Sequence, residues 1–144
     1  MKEEYFIELM NLAKKAAAKN EVPVSALIVQ NDKIISKAYN TRHKKYNVSN
    51  HAEIMCINKA AKKLKDWRLD DCDLYVTLKP CNMCIEFIKQ SRIRNVFYIL
   101  DKPVDKKEYY RTKIAKANIS TLETQYAHYL QEFFKNKRDK KKHI

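Results

Sequence analysis

Residues 49–84 read SNHAEIMCINKAAKKLKDWRLDDCDLYVTLKPCNMC, and the way this stretch folds decides how the rest of the chain is arranged. It holds His51, Glu53 two residues on, and a Pro-Cys-x-x-Cys at Pro80, Cys81 and Cys84. Two thiolates and one imidazole are donors that Zn²⁺ accepts readily. Three protein ligands leave the fourth tetrahedral position open, as in catalytic rather than structural sites. Zinc lowers the pKa of a bound water towards ~7, so a nucleophile is available at neutral pH. A carboxylate beside the metal but not bound to it, the place expected for Glu53, can then move that water's proton.

Other readings of the same residues exist. A lone C-x-x-C also serves as a redox pair or as half of a closed zinc site. A redox pair has no need of a preceding H-A-E. Cys56 and Cys72 lie sixteen residues apart and do not supply a second C-x-x-C. Cys56 falls in an apolar helical run and is expected to pack as a small hydrophobe. His51 taken alone would read as a helix-capping or core histidine; beside Glu53 and the cysteine pair it reads as a ligand.

At 144 residues the chain suits one compact domain with a sizeable core, expected over 1–138 with a basic tail at 139–144. No apolar run approaches the roughly 18–20 residues of a membrane span. The opening MKEEYFIELM carries three glutamates and does not resemble a targeting peptide. Few cysteines, two of them in a metal-type pair, suit a reducing cytoplasm. The net charge of +13 points to an acidic partner, nucleic acid first. The 24 Lys against 6 Arg, and the lack of any Gly, also fit an AT-biased coding sequence, so the placing of the charge says more than its sum.

Taken in order, residues 2–19 space Phe6, Leu9, Met10, Ala13, Ala16 and Ala17 as an amphipathic helix. EVPVSALIVQ and KIISKAYN read as two core strands in a hairpin at Asn31-Asp32, residues that accept left-handed backbone where glycine is missing. Asn40 at the end of the second strand reads as turn chemistry. The polar loop 41–50 leads to a helix capped by Ser49 or Asn50 and running to about Lys65. DLYVTL is a strand, Pro80 suits the first turn of a helix bearing Cys81 and Cys84, RNVFYIL is a strand, and 121–138 form a last amphipathic helix. A helix N-terminus at His51 would favour a metal-bound hydroxide and a charged carboxylate, and one at the cysteines would favour thiolates. The order predicts an α/β layered domain.

The stretches EVPVSALIV, Asn40, HAEIM, LYVTLKPCNMC, SRIRNVF and QEFFKNKR together resemble the bacterial tRNA-specific adenosine deaminases, within the cytidine deaminase-like superfamily, over most of residues 5–138. H-x-E with P-C-x-x-C is the signature of zinc nucleobase deaminases as a whole. It indicates deamination, while EVPV and the terminal FF with basic residues favour the tRNA branch. The resemblance implies a three-layer α/β/α fold with a mixed sheet of about five strands. It implies one Zn²⁺ per subunit on His51, Cys81 and Cys84, proton transfer by Glu53, and contacts to a flipped-out adenine from Asn40, Val24 and Ala52. It further implies Phe133, Lys137 and Arg138 on the anticodon loop, inosine at the wobble position as product, and a cytoplasmic homodimer. The chain departs from the family at Ser25, usually Gly, at Lys79, usually Glu, and at DKPVDKKEYYRTK, which replaces a Gly-rich substrate-contacting segment. These departures bear on substrate choice more than on chemistry.

Residues 135–144 hold six basic residues and one acidic, Asp139. A lysine run after a helix commonly forms a solvated face; with Phe133 and Phe134 before it, the run can also stack a base and hold phosphates. Two rivals stand beside RNA deamination: a deaminase of a free base or nucleotide such as guanine or cytosine, which has no use for a basic C-terminal helix, and a non-catalytic zinc-stabilised RNA-binding module, which has no use for Glu53.

Overall fold

The computed structural model describes residues 3–42, 47, 49–101, 113 and 115–142. Its elements follow the expected order: α1 (Glu3–Ala18), β1 (Ser25–Gln30), β2 (Lys33–Tyr39), α2 (Ala52–Leu64), β3 (Asp73–Leu78), α3 (Asn82–Gln90), β4 (Asn95–Leu100) and α4 (Ser120–Lys142). They fall into two compact units, Met1–Lys106 and Lys107–Ile144.

In the first unit the sheet runs β2-β1-β3-β4. β1 pairs antiparallel with both β2 and β3, and β3 pairs parallel with β4, as a strand–helix–strand crossover through α3 requires. The sheet is mixed, but it has four strands among the described residues rather than five. After Leu100 the sequence turns to DKPVDKK, which lacks the apolar alternation of a strand, and residues 102–112 lie outside the described part.

β1 is the central strand and its residues sort by face. Ala26 and Ile28 join Ala52, Cys56, Ile57, Leu74, Val76 and Ile88 in a core under α2 and α3. Leu27 and Val29 join Tyr5, Leu9 and Tyr75 under α1. The unbroken apolar run Ala26–Val29 is what a strand covered on both faces needs, and the result is the three-layer α/β/α arrangement. The helical stripe of α1 is Tyr5, Leu9, Leu12, Ala13 and Ala16. Met10 and Ala17, expected inside, are exposed, because a step of 100° per residue turns them away once Leu9 and Ala13 face the sheet. Ser25 is fully buried: its hydroxyl donates to the Leu9 carbonyl at 2.6 Å, and its N–H donates to Thr77 Oγ1 at 3.1 Å. The side chain that replaces a hydrogen here thus ties α1 to β1.

Cys56 and Cys72 are both buried in the α2/α3 core, as expected for Cys56. Burial pushes their thiols up, to about 12 and about 11.

Without glycine, five other residues among those described take positive φ: Asn20, Asn31, Asp32, Lys65 and Arg92. Asn31 (50°) and Asp32 (63°) make the two-residue hairpin turn between Gln30 and Lys33, the left-handed pair such a turn demands. Lys65 (54°) ends α2, with Asp66 N–H bonded to the Ala61 carbonyl at 3.1 Å, a closure that usually recruits glycine.

α4 is the helical part of the second unit and runs to Lys142, so the expected tail at 139–144 is helical for most of its length. Its apolar side chains Leu122, Tyr126, Tyr129 and Phe133 are exposed.

Lysine at a left-handed cap costs about 1–2 kcal/mol relative to a right-handed residue, partly offset by the greater unfolded-state freedom of glycine. Lys65→Gly is therefore expected to stabilise the protein by about 0.5–1 kcal/mol, read as a higher urea midpoint at unchanged slope. A lower midpoint would contradict this account of the cap.

Candidate active site

His51 and Cys81 occupy equivalent places. Each is the last extended residue before a helix, His51 at φ −71°, ψ 145° before α2 and Cys81 at φ −70°, ψ 169° before α3. Cys84 follows in the first turn of α3. The two helix N-termini thereby bring three donors together: Cys84 Sγ lies 3.3 Å and Cys81 Sγ 3.7 Å from His51 Nδ1. The three ligand atoms all fall within 4.8 Å of one another, the spacing of a group that could hold a metal ion.

The capping of α2 differs from expectation. Neither Ser49 nor Asn50 caps it, and Ser49 bonds back to Asn47 Oδ1 at 2.6 Å. The cap position belongs to His51, whose ring faces the sulfurs and makes no capping bond. Asn40 substitutes from the end of β2: its Oδ1 accepts the Ala52 N–H at 2.7 Å. The Asn40 backbone is held in turn by its N–H to the Val24 carbonyl at 3.0 Å. One side chain thus serves the helix that carries His51 and Glu53, and such a bond contributes about 1 kcal/mol. Pro80, expected in the first turn of α3, precedes the cap residue Cys81 instead.

The electrostatics suit a cation. Cys81 is pulled down to about 5, chiefly by the Cys84 thiol hydrogen-bonding to it, with backbone N–H groups of Cys84 and Met83 adding to this; neither amide completes a capping bond. Cys84 moves the opposite way because it supplies that hydrogen, because it is buried, and because Glu53 lies close. A divalent ion held by both sulfurs would favour the thiolate at each. Burial raises the Glu53 carboxyl, partly offset by its own backbone N–H, the Cys84 thiol and His51. Glu53 is 3% exposed, and its Oε1, like His51 Nε2, has no hydrogen-bond partner among the described residues. A buried carboxylate oxygen without a partner costs on the order of 1–3 kcal/mol or more. The soft donor pair, the imidazole and this orphaned oxygen fit a zinc ion with a water on its open side.

Asn40, Val24, His51, Glu53 and Cys81 line one pocket. Ala52 lies buried beside it and Cys84 is buried. Four lining residues were not singled out as binding residues from sequence: Val22, Arg42, Leu78 and Lys79. Their adjacency to Val24, Asn40 and Cys81 was the available signal. Phe133, Lys137 and Arg138 lie on α4, where the Lys137 ammonium sits 5.4 Å from the Phe133 ring centroid.

A family model for MafB19-like deaminases matches residues 1–138. The chain belongs to the MafB19-like deaminase family. Similar curated proteins include the tRNA-specific adenosine deaminase of Rickettsia bellii, 48% identical over 63% of this chain and 64% of that protein. The protein of the same name from Aquifex aeolicus is 44% identical over 71% of this chain and 69% of its own length. The aligned part thus spans about two thirds of these relatives. Among solved structures, one from a study of A-to-I editing by tRNA:A34 deaminases at the wobble position of transfer RNA superposes with a TM-score of 0.70 at 34% identity. It covers 72% of this chain and 75% of that one. Guanine deaminase from Bacillus subtilis gives 0.77 at 26% identity, over 91% of this chain and 95% of its own. The fold expected from sequence is thereby the fold observed, apart from the strand count. No helix among the described residues is long and apolar enough to cross a membrane.

The purified protein is expected to carry one zinc per chain by elemental analysis. Cys84→Ala is expected to lose it and to melt several degrees lower than the parent, because structure and metal binding are coupled. Full zinc occupancy in Cys84→Ala would contradict the ligand set.

Proposed function

We propose that this chain is a zinc-dependent hydrolase that converts adenosine to inosine at the wobble position of a tRNA anticodon loop. The observation that carries the reading is the buried Glu53, one oxygen of which has no partner among the described residues, next to a three-donor group within 4.8 Å. The names borne by the relatives supply the substrate.

Zinc held by His51, Cys81 and Cys84 would supply the acidity that makes a water nucleophilic near neutral pH. The chain's own residues do the rest. Val22, Val24 and Leu78 offer apolar walls to a flat purine, while Asn40, which lines the same pocket, is fixed by its bond to Ala52. A splayed-out base in such a pocket is within reach of Glu53. Glu53 takes a proton from the water as oxygen adds to C6. It delivers protons to N1 and then to the departing amine, so that water and adenosine become inosine and ammonia. Because burial raises its carboxyl, the proton-accepting form is favoured as pH rises and is lost as pH falls. Phe133, Lys137 and Arg138 would contact the loop by stacking and by charge, and the enzyme would act in the cytoplasm as a homodimer.

A second reading, deamination of a free base such as guanine, draws on the guanine deaminase likeness, which extends over 91% of this chain. The same hydrolytic centre would serve either substrate. The basic composition and the higher identity to the adenosine deaminases weigh for RNA.

Incubation with an anticodon stem-loop carrying wobble adenosine, followed by sequencing, is expected to yield inosine. Glu53→Ala, at equal zinc content, is expected to slow it by about 10²–10⁴-fold. Ammonia release from free guanine with none from the stem-loop would reverse the assignment in favour of the second reading.

A further inference from the structure

Two exposed cations open onto the pocket that contains Glu53: Arg42, in the loop after β2, and Lys79, between β3 and Cys81. Neither is ion-paired among the described residues. Arg68 and Arg94, by contrast, are paired with Asp66 at 3.1 Å and Asp73 at 3.0 Å. Among the described residues the only carboxylate lining the pocket is Glu53, which is 3% exposed and committed to the reaction centre. Lys79 is also set on a fixed base, since its backbone N–H donates to the Leu100 carbonyl at 2.9 Å. Beyond Lys79 lies a second, apolar groove formed by Pro80, Ile85, Ile88, Val96 and Tyr98, which Lys79 and Lys89 also line. Lys79 therefore stands on the wall between the reacting pocket and the surface next to it.

A neutral free base brings no charge for these cations to meet. A nucleotide within a strand brings a phosphodiester on each side, and those phosphates must pass the pocket mouth when the base is inside. We propose that Lys79 is a specificity-determining residue: with Arg42 it holds the phosphodiesters flanking the reacting nucleotide, and so selects a strand over a free base. The proposal rests on the RNA reading above. Exposed ion contacts are weak singly, so the loss of one changes affinity only about fivefold. Its signature is in the salt dependence, because each phosphate contact on a single strand contributes about 0.7 to the slope of log affinity against log salt.

The test is fluorescence anisotropy of a labelled anticodon stem-loop with the zinc-loaded full chain, titrated between roughly 50 and 200 mM NaCl. Lys79→Gln and Arg42→Gln are each expected to flatten the slope by about 0.7, and Lys79→Arg to keep it. Lys14→Gln, on the exposed side of α1, is expected to leave the slope alone. A slope unmoved by Lys79→Gln, or moved equally by Lys14→Gln, overturns the proposal and leaves diffuse charge as the cause; so does a parent chain that does not bind the stem-loop. Inosine formation is scored separately. A parent that forms inosine with a slope indifferent to Lys79 overturns the phosphate contact alone. A parent whose slope depends on Lys79 but which makes no inosine overturns the proposed reaction and sustains the contact.

Discussion

Two helix N-termini directed at one point are the constraint on which the first unit depends. Like-signed helix ends repel one another, and a buried carboxylate beside two thiols is costly. The arrangement becomes favourable when negative thiolates and a divalent cation occupy the point of convergence. The rest of the unit holds the two ends in place. β3 leads into Cys81 through a turn bonded to the end of β4, and β2 leads into Asn40, which caps the helix behind His51. The core under α2 and α3 fixes their mutual position with Ala52, Cys56, Ala60 and Ile88. Small residues along α2 let the helix lie close to the sheet, so that Glu53 is enclosed.

Asn40 illustrates how structure and chemistry share residues here. As an adenine-contacting residue it would need a fixed orientation, and its bond to Ala52 provides one. The same bond supplies the missing cap of α2, so the pocket wall at Asn40 and the helix that bears Glu53 form one mechanical piece. Loss of either partner would be felt in both stability and reaction.

Much of this was readable in the sequence, for physical reasons that differ between residues. His51, Glu53, Cys81 and Cys84 were legible because metal chemistry restricts residue type and spacing. The strands were legible because apolar runs such as SALIV can be buried only on two faces. The hairpin was legible because Asn-Asp is what tolerates left-handed backbone when glycine is absent. The cap of α2 was not, because Asn40 reaches it from twelve residues away, and local rules look only at neighbours such as Ser49. Met10 and Ala17 were misplaced because composition alone cannot set the phase of a helix; Leu9 and Ala13 do so by packing. Lys79 and Arg42 were legible as charges, yet their place at the pocket mouth is a matter of tertiary structure. The expected fifth strand came from family likeness rather than from the residues after Leu100, whose own pattern is charged.

The central claim is that the chain holds zinc with three protein ligands and one open position. X-ray absorption at the zinc edge of the freshly purified protein tests it most directly. The account predicts two sulfur scatterers at about 2.3 Å and two lighter nitrogen or oxygen scatterers at about 2.0–2.1 Å. A first shell of four sulfurs, or one with a single sulfur, would contradict it.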